Sequence, residues 1–166
     1  MSVHHDVFDL QDRLAKIEAP SEPLQTVRFH ALREGIDLPS RAHAADAGWD
    51  LHASDTVLIP SGAIVLVPTG VSVDLPGGTY GMVCSRSGLV ARHSVAVANA
   101  PGIIDSGYTG ELLVALINHG RAAYRVLPGD RIAQIVFGRV DLVNVVGGDT
   151  LESDSRGDGG HGSSGR

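Results

Sequence analysis

The sequence is poor in cysteine, with Cys84 the only one in 166 residues. A single cysteine excludes an intrachain disulfide and any zinc site built from several thiolates. Cys84 ends an apolar run, so we expect a buried thiol that acts as a small hydrophobic side chain and not as a nucleophile.

Aromatic residues are also scarce, at 4% of the chain, although hydrophobic residues make up 43%. That hydrophobic content is enough for a real core, which must then be built from Val, Ile, Leu and Ala. A length of 166 residues suits one domain of ordinary size.

The chain lacks an excess of positive charge and lacks long apolar runs. Thirteen Lys and Arg against nineteen Asp and Glu leave a net charge of −6, which argues against nucleic acid or an anionic membrane as partner. No run approaches the roughly 18 apolar residues of a membrane span, and no basic segment followed by an apolar one starts the chain. We therefore expect a cytoplasmic protein, in which a few arginines could still hold a small anion.

The first 25 residues differ from the rest and predict a short amphipathic helix over about residues 6–18, followed by a linker that contains Pro20 and Pro23. Such a helix could pack on its own domain, on a neighbouring subunit or on another protein. Its apolar residues at helical spacing are Val7, Leu10, Leu14 and Ile17.

Residues 26–146 have the sequence pattern of an all-β domain, in which short runs rich in Val, Ile and Leu are interrupted by Gly, Pro and Asp. Many short strands at close spacing favour a sandwich or barrel. Some runs, such as residues 63–67, are apolar on both faces and predict burial against another subunit. The predicted strands are 26–32, 56–59, 64–67, 71–75, 80–84, 112–117, 124–126, 132–137 and 142–146.

Short polar islands interrupt this β texture. Residues 46–51, Asp-Ala-Gly-Trp-Asp-Leu, offer two carboxylates to a cation or simply a turn that enters a strand. Residues 85–89, Ser-Arg-Ser-Gly-Leu, suit a phosphate contact at a strand end or helix N-terminus, or a capped turn.

Two further islands lie in the second half of the β region. Residues 99–111 contain a Pro-Gly turn, followed by Asp105 and Tyr108. This pattern predicts a hairpin with a carboxylate and a phenol close together at one end. In residues 129–134, the Asp130-Arg131 pair is typical of an ion pair, with Gln134 directed to one face.

The last island is the glycine-rich tail, residues 155–165. Its composition is most typical of a disordered tail, but it also suits a flap over a phosphate ester, since glycine lets backbone N–H groups approach the oxygens and Arg supplies a forked donor. No Gly-Lys-Ser/Thr follows, so it is not a P-loop.

Taken in this order, the five islands resemble the five motifs of the trimeric dUTPases, the deoxyuridine triphosphate nucleotidohydrolases, over about residues 26–166. The resemblance implies a jelly-roll-like β-barrel or sandwich of the dUTPase β-clip type. It further implies a homotrimer whose active sites are shared between subunits and closed by the C-terminal arm. The segments would be an N-terminal extension (1–25), the β domain (26–147) and the arm (148–166).

The reaction implied by the resemblance is hydrolysis of dUTP to dUMP and pyrophosphate with Mg²⁺, which limits uracil in DNA and supplies dUMP for dTMP synthesis. Asp105 would activate the water and contact the sugar, and Tyr108 would stack on the deoxyribose. Asp50 would contact the metal through water. Uracil would be read by Asn99, Gly102 and Ile104; phosphates would be held by Arg86, Ser87, Gly88 and Gln134; and the arm would supply Arg156, His161, Gly162, Ser163 and Ser164.

Two residues depart from the family pattern. Trp49 stands where the family usually has Tyr, which predicts a change in packing and no loss of function. His161 stands where the family often has Phe; an imidazole can still stack on uracil, but it titrates near physiological pH.

Two alternatives stay open at the level of sequence. One is a dCTP deaminase-like relative of the same fold, although such relatives typically carry Trp at the position of Tyr108. The other is a protein-binding regulator that keeps the dUTPase body and recruits a partner through the N-terminal helix.

Overall fold

The computed structural model describes residues 25–141 and 143–148. This part of the chain contains eleven β-strands and one short helix, α1 (Ser87–His93), which confirms the all-β prediction. The predicted helix at 6–18 and the arm beyond residue 148 lie outside the described residues. Among the described residues, no helix is long and apolar enough to cross a membrane.

The strands form four small antiparallel sheets with the orders β1-β5, β3-β10, β2-β11-β6-β8 and β4-β9-β7. Most of their bounds fall within the predicted apolar runs, whereas β2, β7 and β8 lie in segments that the sequence analysis treated as polar islands or connections. The strands are β1 (Arg28–Ala31), β2 (Trp49–His52), β3 (Val57–Ile59), β4 (Ile64–Pro68), β5 (Val71–Asp74), β6 (Thr79–Cys84), β7 (Val95–Val97), β8 (Gly102–Asp105), β9 (Leu113–Asn118), β10 (Tyr124–Val126) and β11 (Arg131–Arg139).

The core lies between these sheets and is aliphatic, as the composition predicts. Every buried hydrophobic residue in the described part is Leu, Ile, Val or Ala, and the aromatic rings pack only at its margin. Leu51, Ile135 and Leu116 are fully buried, so the two larger sheets both contribute to one core. This core fixes the strand ends that carry the polar islands.

The expectation of a buried thiol at Cys84 is wrong, because this side chain is partly exposed. Strand β6 alternates strictly between buried and partly buried residues, and Cys84 falls on the outer face. The apolar run that precedes Cys84 therefore indicated a strand and not burial of the thiol.

The predicted strand at 142–146 is also absent, since residues 143–148 take no strand structure in the described chain. Val143, Val145 and Val146 are 74%, 87% and 76% exposed. These valines have the composition of a strand but no strand partner within the described residues, so the β propensity of the segment is not satisfied there.

One face of the β4-β9-β7 sheet is apolar and open to solvent. Ile64, Leu66 and Leu113 are 60%, 59% and 49% exposed, and the register places Leu66 opposite Ala115 and Ile64 opposite Ile117 on the same face. The sequence predicted such strands with two apolar faces. A contiguous exposed patch of this kind marks an interaction surface.

Candidate active site

A polar cavity of about 380 Å³ opens where β2, β6 and β11 carry the first, second and fourth islands. Asp50 on β2 lies opposite Gln134 on β11, and Gln134 lies opposite Cys84, the last residue of β6. The sheet register therefore brings together three islands that are far apart in sequence. The cavity is lined by Ala42, Asp46, Ala47, Gly48, Asp50, Arg86, Ser87, Gly88, Arg131 and Gln134.

Asp50 is the centre of a charged cluster in this cavity. Its Oδ1 accepts from Arg86 Nε at 2.8 Å and its Oδ2 from Arg131 Nη1 at 3.2 Å. Arg86 Nη1 also donates to the backbone carbonyl of Arg131 at 3.1 Å. The carboxylate is only 18% exposed, so these charge-assisted hydrogen bonds hold both guanidinium groups in fixed positions.

This arrangement leaves donors available for a ligand. A guanidinium carries five N–H donors, and the bonds within the cluster use only some of them on each arginine. Two cations against one shared carboxylate make this corner of the cavity suited to an anion with several oxygens.

Gln134 is held by the neighbouring backbone. Its Nε2 donates to the carbonyl of Ser85 at 3.1 Å, which ties β11 to the segment just after β6. Gly48 faces Gln134 so closely that a Cβ at this position would collide with Oε1. A larger residue at position 48 would therefore force the Gln134 amide to move from its place in the cavity wall.

Ser87 and Gly88 line the cavity from the first turn of α1. The sequence analysis left a capped turn and a helix N-terminus open for this island, and the structure shows a helix, in which Arg86 accepts at its carbonyl from Leu89 N–H and Val90 N–H. The helix thus starts at the arginine that bonds Asp50.

The third island lies on β8 and the turn that follows it, but it does not form the predicted hairpin. Strand β8 pairs only with β6, whereas its sequence neighbours β7 and β9 pair with each other in another sheet. Pro101 immediately precedes β8 and has no N–H to continue a ladder from β7. The chain therefore leaves the β4-β9-β7 sheet after β7, adds β8 to the β2-β11-β6-β8 sheet and returns to the first sheet at β9.

Asp105 and Tyr108 do come close together in the turn after β8. Tyr108 N–H donates to the carbonyl of Asp105 at 3.0 Å, and Tyr108 OH donates to the carbonyl of Glu111 at 2.8 Å. The Tyr108 ring covers Gly110, where a Cβ would lie only 2.6 Å from the phenol oxygen. The ring is thereby fixed, with 43% of the residue exposed, and the Asp105 residue beside it is exposed as well.

Asn99 lies over the start of the same strand. A Cβ at Gly102 would come within 3.1 Å of Asn99 Nδ2, so the amide and the buried Gly102 backbone pack against each other. Ile104, two residues on, is partly buried opposite Gly81 on β6. An amide, the edge strand β8 and a phenol ring thus lie along one short segment.

Within one chain, however, the cavity and Asp105 are far apart. Asp105 lies opposite Tyr80 on β6, whereas Gln134 lies opposite Cys84, four residues further along that strand. At about 3.3 Å per residue, this separation is roughly 13 Å. The predicted site residues therefore form two groups on each chain, and the cavity group does not contain the carboxylate.

Sequence reasoning missed Arg131 as a cavity residue. The Asp130-Arg131 dipeptide indicated a local ion pair, but Asp130 Oδ2 accepts from Leu127 N–H at 2.8 Å and Arg131 bonds Asp50 instead. The arm residues Arg156, His161, Gly162, Ser163 and Ser164 lie outside the described residues, so their roles stay predictions.

A protein-family model described as dUTPase matches residues 34–165. A deoxyuridine 5'-triphosphate nucleotidohydrolase of Nocardia farcinica is 48% identical over 86% of this chain and 87% of its own length. The enzyme of the same name from Mycobacterium tuberculosis H37Rv is 49% identical over 84% and 95%. Among solved structures, a Staphylococcus bacteriophage 80alpha dUTPase with dUpNHpp superposes with a TM-score of 0.80 at 27% identity, over 86% of this chain and 100% of the phage chain.

Proposed function

The chain belongs to the dUTPase family, and we propose that it hydrolyses dUTP to dUMP and pyrophosphate in the cavity around Asp50. The observation that carries the proposal is the ordered Arg86–Asp50–Arg131 cluster beside Gln134. The fixed arginines are placed to neutralise a triphosphate, and phosphoryl transfer depends mainly on such positioning and charge neutralisation.

Asp105 is the proposed base. Its exposed carboxylate accepts a proton from water as the water oxygen bonds to the α-phosphorus in line, while the bond from that phosphorus to the bridging oxygen breaks and pyrophosphate leaves. Asp105 is restrained by no side-chain hydrogen bond within the described residues, so it is open to solvent and substrate. Tyr108, fixed by Glu111, offers a flat wall for the deoxyribose, and Asn99 with Gly102 and Ile104 offers the edge for uracil.

The active site is shared between subunits of a homotrimer in this proposal. Two observations support shared sites: the separation of Asp105 from the cavity along β6, and the exposed apolar face around Leu66. Val143, Val145 and Val146, which are exposed among the described residues, offer further apolar surface to a neighbouring chain. A neighbouring copy would place its Asp105 and Tyr108 at the mouth of the cavity.

Mg²⁺ fits this site as a partner of the substrate phosphates. The described residues contain no cluster of three or more His, Cys, Asp or Glu side chains that could hold a metal alone. Both oxygens of Asp50 already accept from arginines, so contact through a water molecule would leave these ion pairs intact. A hard cation bound this way supplies charge neutralisation on the phosphate oxygens.

Trp49, the residue predicted to stand where the family usually has Tyr, packs within the sheet. It begins β2, lies opposite Ile135 and contacts Phe29 with ring centroids 6.4 Å apart. It does not line the phosphate cavity.

The two alternatives from the sequence stand differently. Binding of a protein partner through the N-terminal extension stays a prediction. The dCTP deaminase alternative is not favoured by the family model or the relatives.

His161 of the arm is proposed to cover the uracil. Replacing His161 with Ala should raise KM for dUTP with little effect on kcat or on the melting temperature, because stacking on a base is worth about 1–3 kcal/mol. Steady-state kinetics with a His161→Phe variant as the matched control test this, since Phe keeps the stacking surface. An unchanged KM in His161→Ala would remove this residue from the site.

Substrate selectivity tests the proposed function directly. With Mg²⁺ present, we expect pyrophosphate release from dUTP and little from UTP, dTTP or dCTP, since Tyr108 would exclude the ribose 2′ hydroxyl and the uracil slot would exclude a methyl or amino group. Ammonia release from dCTP would instead indicate a deaminase. Failure of the folded protein to turn over dUTP would reject the proposal.

A further inference from the structure

The loop of residues 41–48 forms one wall of the phosphate cavity. Its base is closed by a β-bridge between Ser40 and Asp50, in which Asp50 N–H donates to the Ser40 carbonyl at 2.8 Å. Ala42, Asp46, Ala47 and Gly48 line the cavity, opposite Arg86 and Gln134. The position of this loop therefore sets the width of the cavity.

Arg41, the first residue of the loop, contacts both Asp46 in the middle of the loop and Trp49 just after it. Its guanidinium lies 4.4 Å from the centroid of the Trp49 ring, and its Nη1 donates to the carbonyl of Asp46 at 3.1 Å. Asp46 in turn closes a tight turn, because its Oδ2 accepts from His43 N–H at 2.9 Å and its own N–H donates to the His43 carbonyl at 3.1 Å.

Trp49 is a firm platform for this contact. It is hydrogen-bonded into the sheet opposite Ile135 and packs against Phe29. A guanidinium stacked on a tryptophan ring gains both cation–π and planar contact. The loop is thus fastened through Arg41 to a ring that the sheet holds in place.

Neither Arg41 nor Trp49 lies in the phosphate cavity. Both line a separate apolar groove of about 710 Å³ on the other side of the loop, together with Phe29 and Phe137. Arg41 can therefore act on the substrate only through the loop, whereas Trp49 also adjoins the cavity residues Gly48 and Asp50 along the chain.

We propose that Arg41, stacked on Trp49, is a positioning residue that holds the 41–48 loop against the phosphate cavity and thereby sets the affinity for the triphosphate. When the stack is lost, the carbonyl of Asp46 loses its donor and the loop is free to move away from Gln134. The close approach of Gly48 to Gln134 makes this wall sensitive to small displacements. The inference rests on the proposed function, since it assigns the cavity to substrate phosphates.

Kinetics of four variants test the contact. Arg41→Ala and Trp49→Leu should each raise KM for dUTP about 5-fold with kcat within about 2-fold, an effect of the size expected for a lost cation–π contact. Trp49→Tyr should recover most of the affinity, because it restores an aromatic face. The double variant Arg41→Ala/Trp49→Leu should be no worse than either single variant. Arg33→Ala, which removes a surface guanidinium bonded to Ser54 and Asp55, is the matched control and should leave KM unchanged.

Binding measurements separate the loop contact from general destabilisation. Inorganic pyrophosphate with Mg²⁺ should bind Arg41→Ala about 5-fold more weakly than the wild-type chain, whereas deoxyuridine, which has no phosphate, should bind both equally. An unchanged pyrophosphate affinity, equal losses for both ligands or additive effects in the double variant would overturn the inference. If the wild-type chain fails to hydrolyse dUTP, the proposed function fails, but the pyrophosphate titrations still decide the role of Arg41.

Discussion

Replacing Asp105 with Asn should lower kcat for dUTP by about 10²- to 10⁴-fold, the usual contribution of a positioned general base. An amide keeps the shape of the side chain and its hydrogen-bonding reach, but it cannot take the proton from water. KM should change far less than kcat, because the phosphate cavity around Asp50 and Arg86 is untouched by the substitution. Single-turnover hydrolysis and binding of a non-hydrolysable dUTP analogue measure the two effects separately.

Asp74→Asn is a suitable control for this substitution. Asp74 is an exposed carboxylate on β5, in a different sheet, and pairs only loosely with Arg28 at 3.8 Å. Its replacement should leave both constants unchanged. A raised KM with an unchanged kcat in Asp105→Asn would assign this residue to substrate binding and not to activation of the water.

Replacing Leu66 with Asp should disperse the proposed trimer into monomers and reduce dUTP hydrolysis by at least about 100-fold. The substitution places an unpaired carboxylate at the centre of an apolar face, and burying such a charge costs several kcal/mol. Within the monomer, Leu66 is exposed, so the fold itself should tolerate the change. Sedimentation velocity and activity on the same samples test both effects.

Arg125→Asp provides the matched comparison, since Arg125 is an exposed strand residue on β10, outside the apolar face. It should change neither assembly nor activity.

Mixing two inactive variants, Asp105→Asn and Arg86→Ala, sharpens the test of the shared site. Exchange of subunits should restore activity if one chain supplies the carboxylate and another the arginine. Full activity of a Leu66→Asp monomer, or no recovery in the mixture, would contradict the shared site.

The sequence predicts the identity of the elements better than their partners. The apolar runs of β4, β6, β9 and β11 appear nearly where the pattern predicts them, because alternation and β-branched residues act locally. The pairing of β7 with β9 around β8 could not be predicted, since it depends on contacts between segments that are distant in sequence.

The candidate site shows the same limit. Arg86 was predicted as a phosphate contact from its local motif and Gln134 from the resemblance to the dUTPase motifs, and both line the cavity. Arg131 and the stack of Arg41 on Trp49 escaped prediction, because each depends on a tertiary neighbour that no local spacing reveals. Cys84 was misjudged for a related reason, since an apolar run does not specify which face of its strand turns outward.

Trp49 is the only tryptophan in the chain, and it stacks against the arginine that holds the phosphate-side loop. The protein therefore carries an intrinsic fluorophore beside the 41–48 loop, with no second indole to obscure its emission. Shifts in its spectrum or lifetime would report the polarity around the loop in real time, without any label. A relative with tyrosine at this position and no other indole would lack this reporter.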